Sequence, residues 1–87
     1  MKPIRVLLAD DHTILREGLH SLLAAEEGYE IVGEANDGRE AVQMVEQTKP
    51  DVVVMDISME GLNGLEATHQ IVRRSPETKV VILSIHG

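Results

Sequence analysis

Three aspartates stand where carboxylate chemistry becomes possible. Asp10 and Asp11 lie side by side at the end of an apolar run, IRVLLADD, and Asp56 ends a second run, VVVMD. Ser84 ends a third, VVILS. Apolar segments that each stop at an oxygen-bearing side chain point to one polar cluster along one edge of a sheet. An Asp ahead of a helix is most often an N-cap, and Asp10 or Asp11 alone fits that role. Asp56 alone fits a strand end. The conjunction is harder to explain that way, because one cap uses one side chain and the adjacent acid is left over. Two unit charges about 6 Å apart repel by about 3 kcal/mol at an effective dielectric of 20. A hard divalent cation offsets that repulsion. Carboxylates, a backbone carbonyl and water suit Mg2+ or Mn2+ rather than a soft metal. An Asp carboxylate beside such an ion can attack phosphorus and become an aspartyl phosphate, while the metal neutralises charge on the transferring group. The Ser84 hydroxyl is placed to donate a hydrogen bond to a phosphoryl oxygen. Spacing alone does not choose the nucleophile. Asp56, alone on its strand, is a better candidate than either member of the pair.

The elements that must position these residues can be read from the pattern. Four β-like runs recur, at Ile4 to Ala9, Glu30 to Ala35, Asp51 to Met55 and Lys79 to Ser84. They are dense in Val, Ile and Leu and mostly do not alternate, as expected for parallel strands covered on both faces. Helical stripes lie between them: Ile14, Leu15, Leu19, Leu22 and Leu23; then Ala41, Val42 and Val45; then Leu65, Ile71 and Val72, with Ala67 and Thr68 near that face. Gly28, Pro50 and the Ser75–Pro76 pair supply the stops. Three βα units plus a fourth strand, joined by right-handed crossovers, imply an α/β fold with an open, doubly wound parallel sheet in the order 2-1-3-4. Ligands in such sheets bind beyond the carboxyl ends of the strands at the switch point, which is where Asp10, Asp11 and Asp56 fall. The fourth strand is then an apolar edge, inviting association with another chain.

Composition narrows the function further. With 87 residues the chain is one domain or part of one. It lacks Phe, Trp and Cys, so its core is aliphatic and thiolate metal sites are excluded. Fifteen acidic against eight basic residues give a net charge of -7, which disfavours direct contact with a phosphate backbone. No apolar run approaches the roughly 20 residues of a membrane span. The expectation is a soluble, cytoplasmic domain.

These motifs, in this order and spacing, resemble the receiver domain of bacterial two-component response regulators, specifically the NarL/FixJ (LuxR-type) branch. The matching stretches are IRVLLADDH at 4–12, LREGL at 15–19, ANDGREAV at 35–42, PDVVVMDISM at 50–59, GLEA at 64–67 and VVILS at 80–84. The resemblance implies a flavodoxin-like fold in which Asp56 is the phosphoacceptor. It implies a Mg2+ (or Mn2+) site made by Asp10, Asp11, Asp56 and the backbone carbonyl of Ser58, with Ser84 as the switch hydroxyl. Ser58 and His86 correspond to the positions that tune hydrolysis of the aspartyl phosphate. A sensor histidine kinase is the implied donor. DNA enters through a C-terminal helix-turn-helix domain outside this chain, and homodimerisation or edge association is a further implied contact. Two departures stand out. Glu60 replaces the family's usual Pro, and the family's fourth helix, fifth strand and fifth helix, with a phosphoryl-contacting Lys, are absent. Residues 1–87 are therefore expected to be a receiver domain incomplete at its C-terminal end.

Other readings compete. A metal-dependent phosphohydrolase of similar fold often carries Asp-x-Asp after the first strand. Here His12 follows Asp10 by two and Thr13 follows Asp11 by two. A receiver that binds partners without being phosphorylated has no need of the aspartate trio. A switch rather than a turnover enzyme is the expected class. His12 is expected at a helix start, facing the site rim, because a hard oxygen site does not favour imidazole. His20 and His69 are expected on solvated helix faces. Gly61 and Gly64 are expected to shape the turn before the third helix.

Overall fold

The apolar runs and helical stripes become seven elements: β1 (Ile4–Ala9), α1 (Thr13–Ala25), β2 (Tyr29–Ala35), α2 (Gly38–Thr48), β3 (Val52–Asp56), α3 (Gly64–Arg74) and β4 (Lys79–Leu83). The structure, a computed structural model, describes residues 2–57 and 64–83. All strand pairs are parallel, in the order β2-β1-β3-β4 expected from sequence. Ala9 pairs with Met55 and Asp56 with Leu83. β1 and β3 therefore finish level, and Asp10 and Asp56 leave from the same sheet edge. Asp56 is the last residue of β3 rather than the first beyond it.

One face of the sheet carries the closed core. Leu7, Ala9, Ala35, Val53 and Met55 pack with Ala41, Val42 and Val45 of α2 and with Ala67 and Ile71 of α3. α2 begins with reciprocal caps. The Glu40 N–H donates to Asp37 Oδ1 at 2.8 Å, and the Asn36 N–H donates to Glu40 Oε1 at 3.3 Å. It ends at Lys49, which is left-handed (φ 48°), just before Pro50. α3 buries Gly64, Ala67 and Ile71. Leu65 and Val72, expected on that buried stripe, are exposed. Positions 64, 67 and 71 share one face at spacings of three and four, whereas 65 and 72 lie one residue, about 100°, around the helix.

The other face is different. α1 packs on β1 and β2, touches neither α2 nor α3, and buries none of its residues. Ile14 is 86% exposed and Leu22 68%. Val6 and Leu8, which alternate with Leu7 and Ala9 and face this side, are buried, and Leu15, Leu19 and Leu23 of the helix are half-buried; polar links add to that packing. Arg16 Nε lies 3.1 Å from Glu34 Oε1 and His20 Nδ1 lies 3.0 Å from Glu34 Oε2. The β1–β2 register shifts between Val6 and Leu7, so that Leu7 pairs with Gly33 and Leu8 with Glu34. Gly33 then faces Met44 of α2, and Glu34, next along the strand, faces α1. No helix among the described residues is long and apolar enough to cross a membrane.

Candidate functional site

β1 and β3 deliver two buried acids to one spot. Asp10 is 2% exposed and Asp56 1%. The Asp10 N–H donates to the Ala35 carbonyl at 3.0 Å, carrying the β1–β2 ladder one residue past β1. Asp11 follows at the surface. One ligand atom from each of Asp10, Asp11, His12 and Asp56 lies within 4.8 Å of all the others. The three carboxylates therefore approach more closely than the 6 Å assumed from spacing, and their repulsion is correspondingly stronger. Neither Asp10 nor Asp11 is the N-cap of α1. That residue is His12, which makes no side-chain cap bond. Asp10 Oδ1 instead accepts the His12 backbone N–H at 2.7 Å. Asp10 Oδ2 is buried with no hydrogen-bond partner among the described residues.

His12 stands at the helix start, as expected, with its side chain 43% exposed. Its ring nitrogen nevertheless reaches the centre of the cluster. Nδ1 lies 2.9 Å from Asp10 Oδ1, 3.1 Å from Asp11 Oδ1 and 3.1 Å from Asp56 Oδ2. The hydrogen bond to Asp10, with the added attraction of all three carboxylates, holds the imidazole above its usual value of 6.5, against a smaller opposing effect of desolvation. Sequence reasoning placed the residue on the rim and missed this contact. The extended N-cap backbone (φ -93°, ψ 98°) accompanies it. The available signal was a basic ring directly after two acids.

Arg16 was missed as well. Its Nη1 donates to the Asp10 carbonyl at 2.8 Å and to Asn36 Oδ1 at 2.5 Å, with a longer contact of 3.4 Å to the Ala35 carbonyl. Its side chain is largely buried. One guanidinium thus ties the first turn of α1 to the ends of both β1 and β2. An Arg one turn past the acids, with Glu34 near the end of the next strand, was the legible hint. Gly64 has a tighter role than a turn. A Cβ there would overlap the Asp56 carbonyl oxygen and the Ile57 Cα, so glycine lets α3 start against the backbone that carries Asp56. His20, expected to be solvated, is half-exposed and pairs with Glu34. His69 is exposed, as expected. Ser58 and Ser84, expected as carbonyl ligand and switch hydroxyl, lie outside the described residues, as do Glu60, Gly61 and His86. A separate opening of about 400 Å³ runs along α3, lined by Glu66, Gln70, Arg73 and Arg74, and none of the three aspartates borders it.

The arrangement can do two things. It can hold a divalent cation between carboxylates, and it can present a carboxylate oxygen beside that cation to an electrophile. Known proteins share the frame. The family model of the response regulator receiver domain matches residues 6–87. The transcriptional regulatory protein DegU of Brevibacillus brevis is 46% identical over 83 residues, which cover 95% of this chain and 35% of that protein. The receiver domain of the putative response regulator NarL from Mycobacterium tuberculosis superposes with a TM-score of 0.94 at 31% identity, covering all of this chain and 70% of that one. A complex of CheX and CheY with BeF3 and Mg2+ from Borrelia burgdorferi gives a TM-score of 0.89 at 28% identity, covering 95% of this chain and 63% of the matched one. The chain spans little more than a third of the curated relatives it matches.

Proposed function

The chain belongs to the response regulator receiver family, in its NarL/FixJ branch, and from that membership we propose that it is a phosphoacceptor signalling domain in which Asp56 takes a phosphoryl group from a sensor histidine kinase. The supporting observation is the convergence of the Asp10, Asp11 and Asp56 carboxylates within 4.8 Å. A buried Asp10 oxygen without a partner among the described residues fits the same reading, since such an atom is costly unless a cation or water meets it. The donors are hard oxygens, so the group that fits is Mg2+ or Mn2+. Asp10, Asp11, Asp56 and the Ser58 carbonyl would hold it. Bound there, it would offset negative charge on the transferring phosphoryl group. The Mg2+ in the CheX–CheY complex is consistent with that choice.

The rest of the transfer falls to this chain's own groups. An Asp56 carboxylate oxygen attacks phosphorus, an O–P bond forms, and the bond to the donor nitrogen breaks with its electron pair returning to the donor imidazole. Arg16 fixes the Asp10 carbonyl, and Gly64 lets α3 pack against the Asp56 backbone. The Ser84 hydroxyl donates to the phosphoryl oxygen and carries the change outward. The product is a signal, not a released metabolite, and the domain is a switch rather than a turnover enzyme. It works in the cytoplasm as the receiver segment of a longer regulator whose DNA-binding domain lies further along.

Acetyl phosphate with Mg2+, followed by mass spectrometry, tests this in the present chain and in the full regulator. The expected result is one phosphoryl adduct on Asp56 in the full regulator, absent from its Asp56→Asn variant. An adduct that survives the substitution sinks the assignment. Millimolar Mg2+ should also raise the melting temperature of the wild-type chain more than that of the variant.

A further inference from the structure

We propose that the pocket is a four-donor site, in which His12 Nδ1 joins Asp10, Asp11 and Asp56 around a borderline transition ion of the Zn2+ or Co2+ class in competition with Mg2+. This rests on reading the pocket as a divalent-cation site and goes beyond it by assigning a nitrogen ligand and a selectivity. Geometry carries it. Nδ1 stands 2.9, 3.1 and 3.1 Å from one oxygen of each aspartate. Ligands bound at about 2.1 Å are spaced about 3.0 Å apart around an octahedral ion and about 3.4 Å apart around a tetrahedral one. The three separations match the edges of such a shell.

A hydrogen-bond account of the same contacts is incomplete. A ring nitrogen carries at most one proton, and a good hydrogen bond is directional. One N–H at Nδ1 cannot point at three oxygens. An ion among them would meet all four donors once the side chains draw in from the present spread of up to 4.8 Å. Asp10 supplies an independent sign: its Oδ2, on a residue 2% exposed, has no partner among the described residues.

Chemistry then sets the preference. Imidazole suits Zn2+, Ni2+ and Cu2+, whereas Mg2+ prefers carboxylate, carbonyl and water. His12 therefore strengthens binding of the first group and adds nothing for Mg2+. The two classes also leave the pocket in different states. Four protein donors complete a tetrahedral shell, so a transition ion held by His12 has no position left for a phosphoryl oxygen. A six-coordinate Mg2+ on the oxygens alone keeps such a position.

Calorimetric titration of the 87-residue chain with Zn2+, Co2+ and Mg2+ separately, in wild type and in His12→Asn, tests the assignment. Asn is a favoured N-cap, so the start of α1 is kept, and far-UV circular dichroism checks it; a His12→Ala variant repeats the measurement. Zn2+ and Co2+ affinities should fall at least tenfold on substitution and Mg2+ affinity less than twofold. The visible absorption of the Co2+ complex should shift as a nitrogen ligand is lost. Unchanged Zn2+ affinity with Mg2+ binding retained overturns the role of His12 and leaves the phosphoacceptor reading standing. That pattern would also expose ions bound elsewhere, at His20 or His69. Failure of either protein to bind any of the three ions overturns both.

Discussion

The two faces of the sheet are built on different terms. Under α2 and α3, ten buried aliphatic residues form one contiguous cluster. Under α1, Val6 and Leu8 of the sheet are buried but no helix residue is fully so, and Arg16 and His20 on Glu34 and Arg16 on the Asp10 carbonyl add polar ties to the half-buried leucines. The dry face resists change because close-packed volumes tolerate little of it. The polar face combines partly buried leucines with a few directional bonds that solvent can reach, which makes it the readier of the two to open locally. The acidic pocket sits at the sheet edge between them. Asp56 comes from a strand whose Val53 and Met55 belong to the dry core, while Asp10 is steadied by the polar clamp. The Asp56 carboxylate is thus carried by a strand of the dry core beside a helix held on polar bonds, an arrangement that suits the proposed phosphoacceptor role.

The largest effect should come from the dry face. Leu7→Ala removes a fully buried side chain and should cost about 3 kcal/mol in urea denaturation. Leu22→Ala on α1 should stay within about 0.5 kcal/mol. Equal costs would erase the distinction between the faces. Next comes the clamp. Arg16→Met gives up the bonds to the Asp10 carbonyl, Asn36 and Glu34 and should cost about 1–2 kcal/mol. Hydrogen exchange sharpens that result. Amides of α1 should exchange faster in the variant while those of α2 keep their protection. Uniform acceleration would mean that the clamp serves the whole fold rather than one face.

Much of this was legible in the residues. Parallel strands read as unbroken apolar runs, so the strand order and the edge holding Asp10, Asp11 and Asp56 followed from chain order and the handedness of crossovers. Pro50 marked the end of α2 for a local reason that any context preserves. What escaped needed coordinates. A stripe on a helix shows which side is apolar, not what covers it, and Ile14 and Leu22 looked like core while standing in solvent. Leu65 and Val72 erred by one residue of helical rotation. The reach of His12 into the cluster depends on the backbone of a single N-cap residue, and the grip of Arg16 on Asp10 depends on where β2 ends. Neither leaves a periodic trace.

A smaller effect should come from the pocket itself. Asp56→Asn, without metal, removes one of three crowded charges and should raise the melting temperature. The gain should be at most about 1 kcal/mol, or a few degrees in a chain this size. The His12 ring beside Asp56 Oδ2 already offsets part of the repulsion, which limits the gain. An unchanged or lower midpoint would remove crowding as the organising strain of the site.

The smallest effect is a pH dependence that belongs to the polar side alone. The His12 imidazole is held above its usual 6.5, first by its hydrogen bond to Asp10 and then by the surrounding carboxylates. A group whose folded value is raised stabilises the fold fully below its unfolded value, and that contribution disappears as pH rises through the folded value. Without metal, the difference in melting temperature between wild type and His12→Asn should therefore be largest below pH 6.5. It should close as pH climbs past the raised value. The ring is half-exposed, so solvent keeps the difference small. The dry face supplies the control: Leu7→Ala should shift the midpoint by the same amount across that range, because Leu7 belongs to an aliphatic cluster. A pH-independent gap for His12→Asn would mean that the imidazole packs against the acids without carrying charge among them.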